Sequence, residues 1–207
     1  MLDAALRRLI AAPLDRAGGF LANRGISANA VTIAGFMLGL LSLPALAYQH
    51  YGLALAAILA NRLADGLDGA IARHAGQTDR GGYLDIVLDF LFYAAVPLGF
   101  ALADPAANAL AACVLLASFI GTGASFLAYA TLAAKRGMQT ERRGRKSFYH
   151  PGGLAEGTET ILAFIAFCLL PGWFPDLAYG FAALCGLTIL GRIALAWRDF
   201  RGEGFKV

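Results

Sequence analysis

The sequence predicts an all-α polytopic membrane protein, with six transmembrane helices behind an N-terminal amphipathic interfacial helix. Three observations carry this expectation. The 207 residues are 58% hydrophobic and only 15% charged, where a soluble domain is about 45–50% apolar and about 25% charged. The mean hydropathy is +0.62, and the apolar surplus is organised into long runs. At about 20–25 residues per spanning helix, the length allows roughly six spans and little else.

Residues 1–24 form the first element. Arg7, Arg8, Arg16 and Arg24 stand among Leu6, Leu9, Ile10, Leu14, Ala17, Phe20 and Leu21. That spacing predicts an amphipathic helix, bent at Pro13, that lies in the membrane interface. The first uninterrupted apolar run begins only near Ala30, which argues against a cleaved signal peptide. Residues 25–207 form a single membrane domain. Its spans are predicted at 30–48, 51–73, 82–103, 108–134, 153–171 and 176–198.

Charge sets the orientation. The connections after spans one, three and five (Gln49-His50, Asp104-Pro105 and Pro171 to Asp176) contain no Lys or Arg. All 17 basic residues lie on the other side or on spans near it. The positive-inside bias puts both termini, the aspartate site and the 135–152 loop in the cytoplasm, and the expected location is the inner (cytoplasmic) membrane. Gly35-x-x-x-Gly39 in span one matches the close-approach pattern of helix pairs. Such matches are frequent in a chain this rich in Gly and Ala, and packing is preferred here over specific dimerisation. Cys113, Cys168 and Cys185 fall inside apolar runs without CxxC spacing, and so read as packing residues.

Two pairs of aspartates interrupt the apolar pattern. Asp65 and Asp68 are i,i+3, and Asp85 and Asp89 are i,i+4, so each pair shares one helical face. A charge at the bilayer centre costs roughly 2.5–3.5 kcal/mol, so four facing lipid would cost on the order of 10 kcal/mol. The four carboxylates are therefore expected to face a wet cavity and to share bound cations. Two like charges about 4 Å apart repel by roughly 4 kcal/mol at an effective dielectric of about 20. A hard divalent ion relieves that repulsion and leaves a positive centre for phosphate oxygens. Gly66, Gly69 and Ala72 keep the helix surface open beside the acids, and Arg73 stands one turn past Gly69.

The stretch Asp65-Gly-Leu-Asp68-Gly69-Ala-Ile-Ala72-Arg73, then seven residues, then Gly81-Gly-Tyr-Leu-Asp85-Ile-Val-Leu-Asp89 resembles the signature of the CDP-alcohol phosphatidyltransferases. That signature runs D-x2-D-G-x2-A-R, about eight residues, G-x3-D-x3-D. The spacer is one residue short if Gly81 is the motif glycine. Counting to Gly82 restores it but breaks the spacing to Asp85. The resemblance implies a fold, an activity and a homodimer. A hydroxyl of a small alcohol acceptor attacks a CDP-linked lipid, usually CDP-diacylglycerol, and CMP leaves. It implies Mg²⁺ or Mn²⁺ on Asp65, Asp68 and Asp85. Asp89 is then the general base, with contact to a second metal. Asp65, Gly69, Ala72 and Arg73 line the nucleotide and diphosphate site. Ser27-Ala28-Asn29-Ala-Val-Thr32 resembles the family's P-N-x-x-T element, with Ala28 in place of proline. Asn29 and Thr32 then reach the cytidine end, or the segment is an ordinary helix cap.

The remaining polar groups bear on the acceptor. Lys135, Arg142 and Arg143 belong to a basic loop that suits a phosphorylated acceptor or anionic headgroups, or simply records topology. Topology is the preferred reading. Glu156 and Glu159, i,i+3 at the start of span five, are expected to face the same cavity and meet the acceptor. Glycerol 3-phosphate or inositol phosphate needs the cations, whereas serine or choline suits the glutamates. The position of the glutamates on a span favours an acceptor without phosphate. Arg192 is expected to pair with them or to snorkel. His50, His74 and His150 read as surface residues, and Phe90, Phe92 and Tyr93 as lipid-facing or packing side chains. Nucleic-acid binding does not fit, because the charge lies beside membrane spans. The alternatives are a cation- or proton-coupled transporter that uses the intramembrane aspartates, and a metal-binding scaffold. The chain has no repeated halves or broken half-helices to support the transporter.

Overall fold

In the computed structural model, residues 2–138 and 153–201 are described, with side chains from residue 11 onward. Within them the chain is helical throughout, with no strand. The helices are α1 (Leu2–Asn23), α2 (Ala28–Leu40), α3 (Ser42–Ala47), α4 (Tyr51–Ala75), α5 (Asp79–Ala103), α6 (Pro105–Lys135), α7 (Gly157–Leu169) and α8 (Phe174–Asp199).

The first predicted span is two helices. Pro44 has no N–H to bond the carbonyl of Leu40, so the helix breaks at Leu41 and restarts as α3. Ser27 caps α2 by accepting from the Ala30 N–H at 3.2 Å. Thr78 caps α5 by accepting from the Gly81 N–H at 3.1 Å. Pro13 lies within α1 and Pro97 within α5.

Among the described residues, four stretches are long and apolar enough to cross a membrane: Ala28–Ala47, Asp79–Ala103, Pro105–Lys135 and Pro171–Asp199. These correspond to four of the six expected spans. α4 has the length but carries Arg62, Asp65, Asp68 and Arg73. The span predicted at 153–171 shrinks to the 13 residues of α7, about 20 Å of helix against a hydrocarbon core of about 30 Å.

α2 packs against both α4 and α5, which contact α2 more extensively than they contact each other. α6 packs on α5 and α8, α7 on α4 and α8, and α1 along α4. An aromatic core joins α5, α7 and α8. Phe100 stacks on Phe174 with ring centroids 4.3 Å apart, and Phe92, Phe164 and Phe167 are fully or almost fully buried around them.

Gly35 and Gly39 serve contacts within the chain. A Cβ on Gly35 would lie 2.5 Å from the Ala64 Cβ, and one on Gly39 would lie 2.8 Å from the Asn61 Cβ. These glycines bring α2 onto the face of α4 that bears the acids. Gly39→Leu is therefore expected to destabilise the fold by about 1–3 kcal/mol. Thermal unfolding in detergent checks this; an unchanged midpoint would contradict the close approach.

Candidate functional site

A cleft opens between α4 and α5 beside α2. It is lined by Thr32 from α2, by Asn61, Arg62, Asp65 and Asp68 from α4, and by Asp85 and Asp89 from α5. The structure thus brings all four aspartates together. Asp65, Asp68 and Asp85 each offer a carboxylate oxygen within 4.8 Å of the other two. Asp68 is only 6% exposed, and its Oδ2 has no hydrogen-bond partner among the described residues. A buried carboxylate oxygen without a donor is costly. Three hard oxygens and one orphaned lone pair fit a Mg²⁺ or Mn²⁺ ion.

Asp89 has a different partner. Its Oδ1 accepts from the Arg62 guanidinium, which also lies 3.5 Å from Asp65 Oδ2. Arg62 donates to Asn61 Oδ1 from Nε at 3.0 Å and from Nη2 at 2.8 Å, and to the Tyr93 hydroxyl at 3.4 Å. The guanidinium lies 5.4 Å and 5.5 Å from the Phe92 and Tyr93 ring centroids. Asn61 is fixed in turn, because its side-chain amide donates to the buried Gly35 carbonyl at 3.1 Å. Sequence reasoning missed Asn61 and Arg62. The available signal was an arginine inside an apolar helix, one turn before Asp65. Phe92 and Tyr93 do not face lipid: Phe92 is fully buried, and Tyr93 packs on Phe119 and Phe164 with its hydroxyl at Arg62.

The neighbouring signature residues fall around this cleft. Thr32 lines it while its hydroxyl bonds the Ala28 carbonyl at 3.0 Å. The Arg73 side chain reaches to 3.8 Å from where a Gly69 Cβ would stand, and it also meets Asp15 of α1 at 3.5 Å. His74 is partly exposed and lies 3.3 Å from the same Asp15. Ala72 is half-buried on the turn between Gly69 and Arg73. Asn29 stands over the start of α5: a Cβ on Gly81 would come 3.0 Å from its Oδ1, whereas one on Gly82 would meet nothing.

Other expectations divide. Glu156 and Glu159 form a capping box on α7. Glu156 accepts from the Gly153 N–H at 2.9 Å, and Glu159 accepts from the Glu156 N–H at 3.3 Å. Neither lines the aspartate cleft. Arg192 does not snorkel. It is buried, and its Nη1 donates to the Thr122 carbonyl at 2.8 Å. Lys135 is exposed at the end of α6. Arg142, Arg143 and His150 lie outside the described residues.

Residues 25–197 match the family described as CDP-alcohol phosphatidyltransferase. The chain belongs to this family. It is therefore a phosphatidyltransferase of membrane lipid synthesis, which favours the enzyme over the transporter and the scaffold. It is similar to the inner membrane protein YnjF of Escherichia coli (strain K12), with 53% identity over 193 residues, 93% of this chain and 94% of that protein. It is also similar to the archaetidylinositol phosphate synthase of Pyrococcus horikoshii, with 38% identity over 98 residues, 47% of this chain and 52% of that one. The fold is that of the Mycobacterium tuberculosis phosphatidylinositol phosphate synthase solved with CDP-DAG bound. The TM-score is 0.67 at 19% identity, covering 92% of this chain and 95% of that one.

The signature holds one glycine here, and a Cβ would be crowded at position 81, by Asn29 and by Thr78, but not at position 82. Gly82→Ala is expected to leave nucleotide affinity within about twofold, as for a substitution into open space. Gly81→Ala is expected to lower it further than that. Binding of CDP to the purified protein checks the pair, and equal effects would contradict the assignment.

Proposed function

We propose that the chain transfers a phosphatidyl group from CDP-diacylglycerol, or a closely related CDP-lipid, to the hydroxyl of a small alcohol and releases CMP. The observation that carries this reading is the meeting of Asp65, Asp68 and Asp85 around the orphaned Asp68 oxygen, within a chain of this family. These three residues would hold Mg²⁺ or Mn²⁺. When bound, the ion supplies charge stabilisation for the diphosphate and its leaving group. Asp89, one turn beyond Asp85, takes the acceptor proton as general base. Arg73, beside Gly69, binds a diphosphate oxygen, with Ala72 leaving room on the same turn. Asn29 and Thr32 border the nucleotide end.

The acceptor class is proposed on narrower support. The carboxylates of Glu156 and Glu159 are engaged with backbone N–H groups, which removes the reason for preferring a cationic acceptor. The archaeal relative is named for an inositol phosphate lipid. A phosphorylated polyol is therefore the acceptor we favour, with Lys135, Arg142 and Arg143 as the cations proposed to meet it. We further propose residues 1–24 as an interfacial element and residues 25–207 as the catalytic domain of six membrane-embedded helices. By the positive-inside bias, both termini and the cleft face the cytoplasm. The inner membrane name of the bacterial relative fits this placement. A homodimer is expected from the family.

The direct test supplies CDP-diacylglycerol and Mn²⁺ with inositol phosphate, glycerol 3-phosphate, serine or choline, and measures CMP and lipid product. Product with a phosphorylated polyol is expected. Product with serine or choline alone would overturn the acceptor class, and no CMP with any acceptor would overturn the reaction. Asp89→Asn is expected to lower turnover by about 10²–10⁴ while Mn²⁺ and CDP-lipid still bind. Full activity would remove Asp89 from the base role. Asp68→Ala is expected to weaken Mn²⁺ binding by at least the about 10–100-fold that loss of even a supporting group costs. An unchanged Mn²⁺ titration would remove Asp68 from the ligand set.

A further inference from the structure

The four aspartates are not equivalent. Three converge within 4.8 Å, and the fourth is bonded to Arg62. Arg62 is a permanent cation, since a guanidinium does not lose its proton in a protein. It is also held from several sides. Asn61, itself tied to the Gly35 carbonyl of α2, accepts two of its N–H groups. Its guanidinium also meets Asp65, Asp89 and the Tyr93 hydroxyl, and its side chain is only 16% exposed. The guanidinium therefore stands between Asp65 and Asp89, where an ion shared by those two carboxylates would have to sit. A second divalent ion there would either displace a guanidinium fixed by α2, α4 and α5 or face its charge at hydrogen-bond distance.

We propose that Arg62 is a built-in cation that takes the place of a second divalent ion beside Asp89, so that the quartet holds one ion, on Asp65, Asp68 and Asp85. This inference rests on the metal site proposed above and adds its stoichiometry. Arg62 is then a positioning residue for Asp89. It aims that carboxylate and offsets its charge without itself leaving the site.

Mn²⁺ binding per chain, counted by electron paramagnetic resonance on the purified full-length protein, tests it. The wild type is expected to bind one Mn²⁺. Arg62→Gln vacates the position between Asp65 and Asp89, and it is expected to bind two. Arg62→Lys keeps the charge and is expected to bind one. Two ions on the wild type, or one on an Arg62→Gln protein that melts like the wild type, would overturn the proposal. Asp89→Asn supplies a second test that leaves Arg62 intact, and it should bind its single ion within about twofold of wild type. A larger loss would make Asp89 an ion ligand and overturn the proposal. Failure of the wild type to bind any Mn²⁺ would overturn the metal site itself, a result distinct from binding two.

Discussion

Placing four carboxylates among apolar helices is the constraint on which the remaining structure depends. Desolvating them singly costs several kcal/mol each, and desolvating them together adds mutual repulsion. The fold answers with cations and with donors. Arg62 lies between Asp65 and Asp89, and the acids at Asp65, Asp68 and Asp85 leave an orphaned oxygen suited to a metal. Burying Arg62 would be costly alone. It is tolerated because Asn61, Tyr93 and two carboxylates satisfy its donors, and because two aromatic rings lie beside it.

This polar cluster depends on how α2 sits. The glycines at 35 and 39 let α2 reach the backbone of α4, which fixes the rotation of α4 and turns Asn61, Asp65 and Asp68 toward α5. α2 also touches α5, so one helix sets the separation of the two that carry the acids. The aromatic core of Phe92, Phe100, Phe164, Phe167 and Phe174 packs α5 further along the face that carries Asp85 and Asp89. An apolar scaffold of this kind can place carboxylates within a few ångströms because it has no freedom to splay. Close packing of cores leaves few alternative arrangements.

Much of this was legible in the chain. The spacing of Asp65 with Asp68 and of Asp85 with Asp89 places each pair on one face by helical periodicity alone, and the structure brings the faces together. Helices close to the predicted spans appear because apolar runs of this length have few other solutions. What escaped was tertiary. Arg62 reads as one more basic residue until Asp89, 27 positions later, is seen against it. Glu156 and Glu159 have the i,i+3 spacing of a shared polar face, which is also the spacing of a capping box, and only backbone geometry separates the two. Gly35-x-x-x-Gly39 signals close approach without naming the partner, and the partner is α4 of the same chain. The break at Leu41 could have been read from Pro44, whose ring disrupts the preceding turn wherever it falls in a helix.

The seating of α1 shows how magnitudes decide between two visible explanations. Asp15 meets Arg73 and His74 at the end of α4, an arrangement that invites an electrostatic account. Those side chains are about half exposed, and ion pairs of that kind contribute about 0–1 kcal/mol. Packing offers more. A Cβ on Gly18 would lie 2.5 Å from the Ala70 Cβ, and one on Gly66 would lie 2.9 Å from a Leu14 methyl. Backbones that close bury apolar surface along the contact, at about 25 cal/mol per Å². The ion pair therefore orients Arg73 beside Gly69 more than it anchors α1. The glycines and Leu14 hold the helix, and through it the N-terminal segment is fixed to the turn of α4 that carries the second half of the Asp65–Arg73 motif.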